Sequence, residues 1–340
     1  MKPVIKWPGG KSREYKKIND IIPDYERYIE PFFGGGGVFF KENPSNAVIN
    51  DYNSLLMDFY RFIKSQNKEF KNNLSQFKKN WDNMSEFIYP IEKDLANLFK
   101  KYRKNNINEN QLENKIDSLL HKHLDNFNGI FDEKFSIDNE LMFNHILETV
   151  TAKVKRMKKI ENKKDKQLIK EDIYKNIETG FRSGFYNHFR DLLNDCNLNR
   201  RNITREKHIA IFYFIREFCY GSMFRYNSSG EFNIPYGGMS YNDKNFESKV
   251  DKLFNDKIKS LFQNVDIYDV DFEYLLKDKL SLSEDDFLFV DPPYDTDFST
   301  YGGNPFDKED HERLAEVLIN LSADFILIIK NTKFIYDLYK

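Results

Sequence analysis

The residues best placed to do chemistry are Asp291-Pro292-Pro293-Tyr294, which directly follow the apolar run Phe287-Leu288-Phe289-Val290. In an open α/β sheet, ligands bind beyond the carboxyl ends of the strands, so a tetrapeptide ending a buried strand falls where chemistry is expected. Two consecutive prolines fix the backbone and remove two N–H donors, leaving their carbonyls as acceptors. Asp291 adds a carboxylate acceptor and Tyr294 a flat ring. This set suits an exocyclic amine on an aromatic ring. Its nitrogen is a poor nucleophile because the lone pair is delocalised. Two acceptors, Asp291 and the Pro292 carbonyl, aimed at its two hydrogens would localise that pair and stabilise the positive charge that grows during alkylation. Tyr294 would stack on the ring.

A second group is Glu30-Pro31-Phe32-Phe33-Gly34-Gly35-Gly36-Gly37. Glycines let a backbone approach a ligand closely. Asp51 ends the next strand, where an acidic side chain accepts the ribose hydroxyls of a nucleoside. A third is Lys6-Trp7-Pro8-Gly9-Gly10-Lys11-Ser12. Its end resembles a phosphate-binding loop, but Ile5 occupies the position where that motif requires glycine, which excludes an ATPase reading. Trp7 can pack on a ligand and Lys11 can meet a carboxylate.

These groups need a scaffold. Residues 1–62 alternate short apolar runs with Gly, Pro or Asp: Tyr28-Ile29-Glu30 into the glycines, Val38-Phe39-Phe40 opening a helix, Ala47-Val48-Ile49 into Asn50-Asp51. This is a βαβ pattern. Residues 206–340 have the same texture. Val265-Asp266-Ile267, Phe287–Val290 and Phe325–Ile329 read as buried strands, and His311–Leu321 as a helix. Between them, 63–205 is rich in Lys, Asn and Glu and reads as helical. Val150, Val154, Met157 and Ile160 recur at helical spacing amid Lys153, Lys155, Arg156, Lys158, Lys159, Lys163, Lys164 and Lys166. That pattern is an amphipathic helix whose basic face is either solvated or laid on a phosphate backbone. The fold class is therefore α/β, with a Rossmann-like sheet interrupted by a mainly helical insertion.

The composition narrows the function. With 340 residues, 40% of them hydrophobic, the chain can build one large core or a core with an appendage. Formal net charge is −2, so nucleic-acid binding would require positive charge gathered on one face. Cys196 and Cys219 lack zinc-type spacing and read as buried reduced thiols, as in a cytoplasmic protein. No His/Cys cluster suggests a metal. The run Phe325–Ile329 is far below membrane-spanning length, and the first residues are too polar for a signal peptide.

The ordered pieces Lys6–Lys11, Pro31–Gly36, Asp51-Tyr52-Asn53, Phe218-Cys219-Tyr220 with Arg225–Gly237, and Asp291–Tyr294 resemble the Dam-like, alpha-group DNA adenine-N6 methyltransferases. The resemblance covers roughly 1–62 and 206–335. It implies S-adenosyl-L-methionine as methyl donor and double-stranded DNA as substrate, and it allows a cognate restriction endonuclease as partner. It implies a discontinuous catalytic domain at 1–62 and 206–340, containing a DNA-contacting loop within 206–245, and a target-recognition insertion at 63–205. Trp7, Lys11, Pro31, Phe32, Gly34, Gly36, Asp51, Asp271 and Asp291 would hold the donor. Asp291, Pro292, Pro293 and Tyr294 would be catalytic on an everted adenine. Lys6, Tyr220, Arg225, Asn227 and Pro235 would meet DNA, with Tyr220 as a wedge and Arg225 reading a base edge.

Gly221 and Gly238 replace the polar or basic side chains of members that read GATC, which points to another target. The family usually continues into a closing β-hairpin, and the chain is expected to lack it because it stops at Lys340. The alternatives are a catalytically impaired DNA-binding protein on this fold, or methylation of another planar amine such as cytosine N4. Asp at 291 favours adenine.

Overall fold

The computed structural model describes residues 1–294 and 306–340. The sequence-derived range 206–340 therefore includes eleven positions, 295–305, that lie outside the described residues. Contacts divide the chain into two compact units, one of residues 1–70, 222–234 and 249–340, the other of 71–221 and 235–248.

The first unit is built on five parallel strands: β1 (Arg27–Glu30), β2 (Ala47–Asn50), β3 (Val265–Tyr268), β4 (Asp286–Val290) and β5 (Asp324–Leu327), in the order β3-β2-β1-β4-β5. The direction of strand addition reverses at β1, so the crevice beyond the carboxyl ends of β1 and β4 is the topological switch point where such sheets bind ligands. The central strands are apolar on both faces because both are covered. Ile29, Val48, Leu288 and Val290 pack with Leu275, Leu276, Leu314, Val317 and Leu318 on one side. Tyr28 and Phe287 pack on the other, with Phe39 against Tyr28.

The helices of this unit used below are α1 (Phe39–Glu42) and α2 (Ser54–Lys64). The Asn53 side chain caps α2 by accepting from the Leu56 N–H at 3.0 Å.

Three sequence expectations shift. Val265–Ile267 reads as a buried strand, but in β3, at the sheet edge, Val265 is buried while Asp266 is exposed and Ile267 is only partly covered. Phe325–Ile329 reads as a buried strand, but β5 spans Asp324–Leu327 and Phe325 is 40% exposed. Among the described residues β5 pairs with β4 alone, and an edge position covers less of a strand. The helix expected at His311–Leu321 runs Lys308–Ile319, because Asp307 and Asp310 form a reciprocal capping box at its start.

The second unit is helical. It is organised by α3 (Asn139–Lys164), α4 (Lys170–Asn197) and α5 (Arg205–Phe218). The helices α3 and α4 approach closely along Gly180 and Gly184. A Cβ at Gly184 would lie 2.4 Å from the Ile146 Cα, and Thr149 Oγ1 donates to the Gly180 carbonyl at 2.8 Å. Helix α5 is buried along nearly its whole length and falls in this unit, as do 235–248. The boundaries between the compact units thus differ from the 63–205 range read from composition, since an all-round apolar helix gives no compositional break at 205.

The expected apolar stripe of α3 is buried at Val150, Val154 and Met157. Its basic face is not uniform. Lys155 bonds Glu109 and Glu113, and Lys158 donates to the Tyr102 carbonyl at 2.9 Å and lies over the Tyr102 ring. Arg156, Lys159, Lys163, Lys164 and Lys166 are exposed. Both Cys196 and Cys219 are buried free thiols.

Candidate active site

A cavity of about 600 Å³ opens at the carboxyl ends of β1 and β4. Its floor is the turn after β1. Gly34 sits at φ +50°, a left-handed value that disfavours any side chain, and a Cβ there would lie 2.8 Å from Trp7 Cδ1. At Gly37 a Cβ would lie 2.8 Å from the Lys11 backbone nitrogen. The glycines thus let the N-terminal segment close over the turn and leave a cradle of bare backbone.

Asp51 fixes that turn from the end of β2. Its Oδ2 accepts from the Gly34 N–H at 2.8 Å and its Oδ1 from the Asn53 N–H at 2.9 Å. Burial pushes its carboxyl up, against the pull of those two N–H groups. Beside it, the buried Asn50 amide ties three segments together. It donates to the Pro31 and Val270 carbonyls at 3.0 and 3.1 Å and accepts from the Val270 N–H at 3.0 Å. The loops after β1, β2 and β3 are therefore locked at one point.

Opposite the glycines stands Asp291, at the end of β4. Lys11 Nζ lies 2.8 Å from both of its carboxylate oxygens and donates a well-aligned hydrogen bond to Oδ2. Asp291 Oδ1 is buried and, among the described residues, accepts no properly aligned hydrogen bond. Burial pushes this carboxyl up to about 6, with Lys11 pulling the other way. For Lys11, burial works against the charge but attraction to Asp291 wins, and its ammonium is held above the ordinary lysine value. The ammonium also lies 4.8 Å from the centre of the Tyr294 ring. Glu30 is buried nearby, takes the Tyr28 hydroxyl at 2.9 Å, and is driven by burial well above the usual carboxylate range.

The far end is aromatic and charged. Phe32, Phe272 and Phe306 pack mutually, with ring centres 5.3 to 5.7 Å apart. Asp271 caps the single turn α6 (Phe272–Tyr274), and Arg313 reaches over from α7 (Lys308–Ile319).

Of the residues singled out in the sequence, Trp7, Lys11, Pro31, Phe32, Gly34, Asp51, Asp271 and Asp291–Tyr294 all line this one cavity. Gly36 does not. It sits at φ +64° against the Phe33 ring and shapes the turn from behind. Lys6 is half-buried and also lies outside the lining. Glu30, the first residue of the glycine-bearing group, lines the cavity too, and Asn50, Phe224, Phe306 and Arg313 belong to the lining without having been singled out. Only Asn50 left a trace, a polar residue closing an otherwise apolar strand.

The expected DNA-contacting residues divide between the two units. In the first, Tyr226 and Phe232 form an isolated antiparallel bridge, and Arg225 Nε donates to Asn233 Oδ1 at 2.9 Å. Asn227 is spent inside this turn, its Oδ1 accepting from the Ser229 and Glu231 N–H groups. The Phe224 ring lies 4.9 Å from Trp7 at the cavity mouth. In the second, Tyr220 is 57% exposed and its N–H donates to the Pro235 carbonyl at 2.8 Å.

The arrangement offers a bare-backbone cradle, acidic acceptors at both ends and a buried carboxylate oxygen that, among the described residues, has no aligned donor. Among the described residues no cluster of His, Cys, Asp and Glu has the grouping of a metal site, and no helix is long and apolar enough to cross a membrane.

Comparison with known proteins bears on this geometry. The family model described as D12 class N6 adenine-specific DNA methyltransferase matches residues 7–130 and 142–340. The chain is similar to the Type II methyltransferase M.CviBI of Paramecium bursaria Chlorella virus NC1A, at 24% identity over 342 residues, covering 100% of this chain and 86% of the relative. It is similar to the Type II methyltransferase M.MjaIII of Methanocaldococcus jannaschii, at 25% identity over 331 residues, covering 93% of this chain and 78% of the relative. A shorter match, 28% identical over 138 residues, covers 38% of this chain and 45% of a DNA adenine methylase of Haemophilus influenzae.

Proposed function

The chain belongs to the D12 class N6 adenine-specific DNA methyltransferase family, and from that premise we propose that its cavity binds S-adenosyl-L-methionine and one adenine everted from double-stranded DNA. We further propose that it serves as the modification enzyme beside a restriction endonuclease, as the Type II names of two relatives suggest.

The observation that carries this reading is the shared cavity of Asp291 and the glycine cradle. The residues present fit the donor. Gly34, Gly35 and Gly37 would leave room for it, Asp51 would accept from its ribose hydroxyls, and Asp271 with Phe32 and Phe272 would flank its base. Bound there, the donor supplies a methyl group activated by sulfonium charge.

The remaining work falls to the chain. Asp291 Oδ1, buried and lacking an aligned donor, accepts one N6 hydrogen of the target adenine. The Pro292 carbonyl accepts the other. Together they draw the lone pair out of the ring and stabilise the charge that develops on nitrogen. Tyr294 stacks on the base. Lys11 favours the ionised carboxylate and gives its aligned hydrogen bond to Oδ2, so that Oδ1, although equally near the ammonium, keeps lone-pair capacity for the amine. Arg225 and Tyr220 read and wedge the duplex, and the helical unit contributes target recognition.

The test is transfer of labelled methyl from S-adenosylmethionine to double-stranded DNA, with hydrolysis of the product. N6-methyladenine is expected. Bound donor without methylated adenine, or N4-methylcytosine as the product, would overturn the reading.

A further inference from the structure

Arg313 stands where two walls of the cavity meet, and each of its three guanidinium nitrogens donates to a different carboxylate. Nη2 donates to Asp271 Oδ1 at 2.7 Å, Nε to Glu273 Oε2 at 2.7 Å and Nη1 to Asp310 Oδ1 at 2.8 Å. Its centre lies 5.0 Å from the centre of the Phe272 ring. One side chain therefore cross-ties α6 to α7 and fixes both the carboxylate and the ring that face the cavity.

The bonds to Asp271 are one-sided. Oδ1 accepts from Arg313 and from the backbone N–H groups of Glu273 at 2.9 Å and Tyr274 at 3.4 Å. Among the described residues none donates to Oδ2. Three donors converging on Oδ1 limit the swing of the carboxylate, and the rigid guanidinium plane holds three carboxylates at once, which a lysine ammonium cannot do equally.

We infer that Arg313 is the positioning residue that sets the base specificity of the methyl-donor compartment. This rests on the reading above, in which Asp271 and Phe272 flank the base of the donor. A 6-aminopurine presents an N–H donor at its exocyclic position, which Asp271 Oδ2 accepts. A 6-oxopurine presents an acceptor there and carries its donor one ring position away, at N1. A carboxylate free to swing would follow that donor. A clamped one cannot, and two acceptors are left face to face without compensation.

The experiment is calorimetric binding of S-adenosylhomocysteine and S-inosylhomocysteine to the full chain and to its Arg313→Met and Arg313→Lys variants. The unaltered protein should prefer the adenosyl ligand by at least about tenfold. Arg313→Met keeps an unbranched apolar side chain of similar length but removes the clamp, and should bring the ratio of the two affinities toward one. Arg313→Lys keeps a charge without the fork and should give an intermediate ratio. It also serves as the informative variant if the thermal midpoint shows that Arg313→Met does not fold. An unchanged ratio in a folded variant would overturn the inference and leave the reading of the cavity intact. Failure of the unaltered protein to bind S-adenosylhomocysteine, or undiminished binding by Asp271→Ala, which has no side-chain acceptor, would overturn the reading of the cavity and the inference with it.

Discussion

Lys11 and Asp291 stand 280 positions apart in the chain, and the ammonium of one lies 2.8 Å from both carboxylate oxygens of the other. This pairing joins the N-terminal segment to the end of β4. Both oxygens are close to the ammonium, but only Oδ2 accepts an aligned hydrogen bond from it, while Oδ1 has no aligned donor among the described residues. Much of the expected behaviour of the enzyme follows from it.

Removing the carboxylate should stop the reaction without releasing DNA. Asp291→Ala is expected to lower turnover by about 10²–10³-fold or more, the scale of losing one preorganised electrostatic partner. DNA affinity should stay within about twofold, since phosphate contacts dominate it. Labelled-methyl transfer and fluorescence anisotropy measure the two. Equal loss of both would show that Asp291 holds the fold rather than the reacting base.

The Asp291 carboxyl, pushed up to about 6 by burial, must be ionised to accept from the amine. Turnover should therefore fall as pH drops through about 6, with one proton taken up. Lys11 opposes the upward shift, so Lys11→Met should move this acid limb to higher pH. A pH profile of single-turnover rate checks the sign. A limb that moves down, or does not move, contradicts the pairing.

Gly34→Ala should impair donor binding. A non-glycine residue in the left-handed region costs about 1–2 kcal/mol, and the new Cβ would meet Trp7 Cδ1 at 2.8 Å. About tenfold weaker binding of S-adenosylhomocysteine is the expected calorimetric result.

In the helical unit, Gly184→Ala forces a Cβ to 2.4 Å from the Ile146 Cα. Overpacking of this kind costs about 1–3 kcal/mol, which should lower the thermal midpoint by several degrees. Gly129, in the helix Leu124–Ile130, has nothing within 4 Å of such a Cβ. The change Gly129→Ala should therefore be neutral or stabilising, by about 0.5–1 kcal/mol.

The exposed bases of α3 should tune affinity for DNA, whereas those already paired within the unit should not. Neutralising Arg156, Lys159 or Lys163 is expected to flatten the dependence of log affinity on log salt by about 1 for every phosphate that the side chain had been pairing. Lys155→Met removes bonds to Glu109 and Glu113 and should change the thermal midpoint with the salt slope unaltered.

By itself the sequence determined the parts that are local. Strands Tyr28–Glu30, Ala47–Ile49 and Phe287–Val290 were legible because a buried strand is a short apolar run stopped by turn residues. The cradle, Asp51 and Asp291–Tyr294 were legible as one site because each directly follows an apolar strand, and in an open α/β sheet the strand ends share a crevice. Tertiary structure alone decided which of them meet. The Lys11–Asp291 pair, the Asn50 amide that ties Pro31 to Val270, and the Arg313 clamp on Asp271 join segments far apart in the chain. It also decided that Lys155 and Lys158 of a basic helix are tied to neighbouring residues, that Gly36 backs the turn rather than facing the cavity, and that Asn227 is used up inside its own loop. The physical reason is common to all of these. Periodicity and turn chemistry are written in neighbouring residues, whereas a long-range hydrogen bond depends on how separate elements are brought together and leaves no spacing to read.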